Sequence, residues 1–135
     1  MNNFDGSTKL LRKAEEYYED VLNAFDRKSW DTVVRRSQEV VETSLKSILK
    51  ATGVEYPKVH EVGTIFEKIA KEKSLGVEEN ILAEVKGISV RLSRERAPAF
   101  YAEKEHSKEE AESARKSAEK VLKFAKMMVK VLNKG

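Results

Sequence analysis

SWDTVVRRSQEVVETSLKSILKATG, residues 29–53, is the stretch that decides the fold. Trp30, Val33, Val34, Ser37, Val41, Leu45 and Ile48 recur at three- and four-residue steps. That spacing puts them on one line of a helix with about 3.6 residues per turn. Ser29 is a good N-cap, Asp31 suits the positive end of the helix dipole, and the helix ends before Gly53. Beside the apolar line, Gln38, Glu42 and Lys46 recur every four residues as a polar ridge, with Glu42 the acid nearest the core.

The same period extends outward in both directions. Before it, residues 7–25 carry two adjacent stripes, Leu10, Ala14, Tyr17 and Val21 beside Leu11, Tyr18, Leu22 and Phe25. A face that wide can touch two neighbours. After it, GVEYPK is a connector, because Pro57 cannot continue a helix. A short third helix is expected over 59–71 and a fourth over 77–95, the latter on Ile81, Leu82, Val85, Ile88 and Leu92, with Pro98 ending or kinking it. SKEE at 107–110 is a capping box that opens a fifth helix through Ala111, Ala118, Leu122, Val129 and Leu132. No strand candidate survives. The chain reads as all-α, an antiparallel up-and-down bundle of about five helices forming a single domain over residues 1–135.

Composition narrows the chemistry. The 135 residues are 36% charged, with a net charge of +3. Charges of both signs alternate along the helices, which suits solvated surfaces laced with i,i+4 pairs. There is no cysteine, hence no disulfide and no thiolate metal site. The two histidines, His60 and His106, form no metal-ligand motif, so neither a metal nor a cofactor is expected. No apolar run approaches the roughly 18 residues of a membrane span, and the polar start does not read as a signal peptide. The expected compartment is the cytoplasm.

One stretch departs from this plain pattern. VRLSRERAPAFYA, residues 90–102, holds three arginines and then a proline. Leu92 continues the inward line of the fourth helix, and Arg96, one turn on, falls on that line. Arg91 sits at its edge and Arg94 points away. A guanidinium entering the inward face must be paired or face a cleft, because an unpaired buried charge is costly. Glu42 is the expected partner if the second and fourth helices lie side by side.

These residues also carry a resemblance. The order Gln38, Glu42, Lys46, then Gly53, Pro57, His60-Glu61-Val62, then Arg96-Ala97-Pro98 with Phe100 and Tyr101 resembles the HEPN domain family (higher eukaryotes and prokaryotes nucleotide-binding). The resemblance implies a homodimeric helical bundle associated with nucleotide or RNA. It also implies a separately encoded small nucleotidyltransferase as partner, in some pairs as toxin and antitoxin. In what the resemblance implies, many members are metal-independent ribonucleases that use an arginine and a histidine with four to six residues between them. That motif is absent here: nine residues separate Arg96 from His106.

The candidate nucleotide- or RNA-binding residues are accordingly Arg96, Arg91, Glu42, Lys46, Tyr101 and His60. No catalytic residue is assigned, and His106 is expected to lie exposed in a charged loop. Phe124, Met127 and Val131 form a second apolar patch on the fifth helix and are the candidate dimer interface. Two other readings stay open, a ribonuclease using Arg96 and Tyr101 and a plain helical scaffold.

Overall fold

A computed structural model describes residues 3–56, 58–100 and 105–134, with the side chains of 96–100 left aside. Five helices appear among the described residues: α1 (Asn3–Asp26), α2 (Trp30–Ala51), α3 (Gly63–Glu72), α4 (Glu79–Phe100) and α5 (Lys108–Lys134). There is no strand among them.

The apolar line read in residues 29–53 becomes the axis of the molecule. α2 packs along α1, α5 and α4, whereas α3 lies on α4, and α4 scarcely touches α5. Being covered on several sides, α2 buries more than that line: Val40 and Leu49 as well as Val33, Val34, Val41, Leu45 and Ile48. Each large side chain so buried contributes about 1.5–3 kcal/mol. Ser37, Ser44 and Ser47 are buried too.

Polar contacts fix the directions. The Tyr18 hydroxyl donates to Glu119 at 2.7 Å and Lys126 meets Glu15 at 3.2 Å, so α1 and α5 run antiparallel. Burial, reinforced by the Glu119 carboxylate, pushes the Tyr18 phenol up to about 12. Arg91 donates to Ser117 at 2.8 Å and Lys120 meets Glu84 at 2.7 Å, so α4 and α5 are also antiparallel.

Three helices stop in the same way. Lys28, Gly53 and Ser74 take positive φ of 61°, 79° and 50°. The next N–H in each case reaches back five residues, from Ser29 to Ala24, Val54 to Leu49 and Leu75 to Ala70. This is the Schellman closure.

Several boundaries differ from the sequence expectation. α3 starts at Gly63 rather than near 59, because the Glu61 carboxylate caps it from outside, accepting the Thr64 N–H at 3.1 Å together with the Thr64 hydroxyl. α4 runs on to Phe100, past Pro98. Proline there removes one helical hydrogen bond, the N–H that would reach the Arg94 carbonyl, without ending the helix. Ser29 occupies the N-cap position of α2, but its hydroxyl bonds the Thr32 hydroxyl and no backbone N–H. The capping box of α5 forms as read: the Ser107 N–H donates to Glu110 at 3.1 Å and the Glu110 N–H to the Ser107 hydroxyl at 3.0 Å.

Candidate functional site

The polar residues gather at two levels of the bundle. The first is the ridge of α2. Glu42 accepts from the Lys46 ammonium at 2.7 Å and from Gln38 Nε2 at 3.2 Å, and its Oε1 lies 3.0 Å from His60 Nδ1. Buried Gln38 also donates to the His60 carbonyl at 2.9 Å. Lys46 additionally lies 5.5 Å from the centre of the Tyr56 ring. Burial pushes the Glu42 carboxyl up, but the bonds from Lys46, His60 and Gln38 outweigh it and hold it below the usual carboxylate value. The ridge therefore fastens the α2–α3 connector to α2. Just beyond, the Gly63 N–H donates to the Ser89 hydroxyl and that hydroxyl donates to Glu61, each at 2.9 Å, which ties the connector to α4.

The second level is the end of the bundle where α2 and α5 begin. His106 was expected to be exposed; its side chain is only 1% exposed. Its Nδ1 lies 2.7 Å from Asp31 and its Nε2 2.9 Å from Glu95, while its backbone N–H donates to Asp31 at 2.9 Å. Both ring nitrogens face carboxylates, an arrangement that favours the doubly protonated ring, in which both donate. Burial alone would lower its pKa, but the bonds to Asp31 and Glu95 and their charges raise it above the ordinary 6.5. One side chain thus binds the start of α2, the C-terminal part of α4 and the approach to α5.

Beside this clamp, the gap between α4 and α5 opens into a groove of about 320 Å³. Val34, Leu92 and Ala114 form its apolar floor, and Arg91, Glu95, Glu109 and Glu110 line its walls with His106. Arg91 bridges toward α5 through Ser117.

The four binding candidates among the described residues fall in two places. Glu42, Lys46 and His60 share the ridge. Arg91 lies in the groove. The Arg96 side chain and all of Tyr101 lie outside the described residues. Glu42 lies eleven positions further along α2 than Asp31, about 16 Å at 1.5 Å per residue. Glu42 has Lys46, Gln38 and His60 as partners, and its expected pairing with Arg96 lies outside the described residues. Of the dimer candidates, Phe124 is half-buried, its ring edge-on to Phe66 at 5.9 Å, whereas Met127 and Val131 are 54% and 59% exposed.

Among the described residues no cluster of histidine and carboxylate groups is arranged to hold a metal, and no helix is long and apolar enough to cross a membrane. No curated protein matches the chain. The model of the HEPN domain matches residues 7–128, a span that takes in the ridge, the clamp and the groove. By that match, across all five helices, the chain belongs to the HEPN domain family.

Proposed function

We propose that this HEPN domain binds a nucleotide, free or as a unit of RNA, in the α4–α5 groove, and acts as an interaction protein rather than a ribonuclease. The groove itself carries the reading. Its apolar floor suits the face of a base, its carboxylates accept from sugar hydroxyls and exocyclic amines, and Arg91 at its wall supplies a guanidinium for phosphate.

The clamp argues for binding over cleavage. A general base needs an accessible nitrogen, and both ring nitrogens of buried His106 are taken up by Asp31 and Glu95. Calorimetric titration with nucleoside mono- and triphosphates should give saturable binding that weakens at least tenfold in Arg91→Ala. Equal affinity in the two proteins would remove the groove from consideration. RNA cleavage with chelator present, abolished by Arg96→Ala, would restore the ribonuclease reading.

The same proposal extends to a homodimer and to pairing with a separately encoded small nucleotidyltransferase, in the manner of a toxin and its antitoxin. Family membership is what supports this extension. Light scattering at micromolar concentration tests the dimer, and a monomeric mass would end that part.

A further inference from the structure

The C-terminal half of α5, KVLKFAKMMVKVLNK at 120–134, holds five lysines and no acid. At about 100° per residue, Lys120, Lys123, Lys126, Lys130 and Lys134 fall within an arc of roughly 120°. That arc faces away from the bundle, because Val121, Leu122, Ala125, Met128 and Val129 of the same helix are buried. The five lysines form a ridge about 21 Å long at 1.5 Å per residue. Glu84, Glu119 and Glu15 approach Lys120, Lys123 and Lys126 at 2.7, 3.4 and 3.2 Å. These are solvent-exposed pairs, weak in water and readily exchanged for a better anion. No ion pair forms at Lys130 or Lys134 among the described residues.

We infer that this ridge is a tracking surface for the phosphate backbone of a nucleic acid, distinct from the α4–α5 groove and standing whether or not the groove holds a nucleotide. Its shape and charge select that occupant. A single file of cations on a convex helix matches a linear polyanion. A second copy fits poorly: two such ridges laid antiparallel through their middle would set lysine against lysine. A bilayer fits poorly as well. Met127 and Val131 are the only exposed large apolar side chains on α5, too little to insert, and the opposite face of the helix is fixed in the core. The nearest ring, Phe124, is turned toward Phe66, so the ridge offers no stacking platform. Recognition there is by charge, without preference for base sequence.

The test is fluorescence anisotropy of a labelled 20-nucleotide oligo(U), and of a mixed-sequence RNA of equal length, between 50 and 300 mM KCl. The triple variant Lys123→Gln/Lys130→Gln/Lys134→Gln should bind both at least tenfold more weakly at 50 mM. Its log–log salt slope should be shallower by about 2, three lost contacts at about 0.7 each on a single strand. The corresponding triple lysine-to-arginine variant should keep wild-type affinity, and Arg91→Ala should change the slope by no more than about 0.7, the one phosphate contact of the groove. Unchanged affinity and slope in the glutamine variant would overturn the inference. So would binding of the wild-type protein to vesicles containing phosphatidylserine but to neither RNA.

Discussion

The His106 ring is held between two carboxylates, Asp31 at 2.7 Å and Glu95 at 2.9 Å. Because its folded-state pKa is raised, the stability it contributes is fully present below about pH 6.5 and is lost as the pH climbs through the raised value. Hydrogen bonds to charged groups contribute about 1.5–3 kcal/mol. His106→Ala should therefore lower the unfolding free energy by roughly that amount at pH 6, and the gap between the two proteins should close at alkaline pH. Urea unfolding at pH 6 and pH 9 measures both, and a constant gap would show that the ring is held neutral. Glu42 and Glu61 bound stability from the other side. Their lowered values give stability that is present above about pH 4.5 and lost on further acidification. Bonds to the ridge and from Ser89 and Thr64, respectively, outweigh a burial that acts in the opposite sense. Nothing near His106 in the chain announces its role. Its partners lie 75 and 11 residues away, and Asp31 reads from sequence only as a helix-dipole acid. The Gln38–Glu42–Lys46 ridge was legible because its members are one helical turn apart. That it grips His60 depends on how the connector folds back, which periodicity does not encode.

At the scale of the helices, number, order and apolar faces were readable because each face repeats every three or four residues, and the capping box of α5 was readable because its partners are three residues apart. The start of α3 was not, since Glu61 takes part in contacts that reach Ser89 on another helix. Nor was the end of α4, where a local proline rule lost to the continuing helix. Two glycines give the α3–α4 packing a paired test. A Cβ on Gly63 would lie 2.6 Å from Ser89 Cβ and 3.1 Å from Lys86 Cα, so the backbones are packed too closely for a methyl group. Gly63→Ala should cost about 1–3 kcal/mol. Gly87, inside α4 with nothing within 4 Å of the added carbon, should gain about 0.5–1 kcal/mol as alanine. Opposite signs in chemical denaturation are the expected result. Lys28 offers a third case: Lys28→Gly should stabilise the α1–α2 turn by up to about 1 kcal/mol, because its φ of 61° lies where a side chain is penalised.

Over the whole molecule, α2 works as a shared wall: α1 and α5 close one side of it, α4 with α3 the other, and the sparse α4–α5 contact leaves the groove between them. The groove and the lysine ridge occupy opposite halves of α5. If the ridge meets a polyanion, Met127→Glu should weaken RNA binding and leave the mass by light scattering unchanged. A halved mass would instead make this face the contact between copies. The first turns of α1 and the last turns of α5 come together, with Phe4 and Thr8 lining a depression shared with Asn133 and Lys134. The 27 residues of α5 put the His106 pole about 40 Å away. An affinity tag or fused reporter at either terminus would therefore crowd the ridge and leave the groove open. Anchoring the protein to a sensor surface by its terminus should mask long RNA far more than a mononucleotide, and the way the molecule is immobilised becomes a means of telling the two surfaces apart.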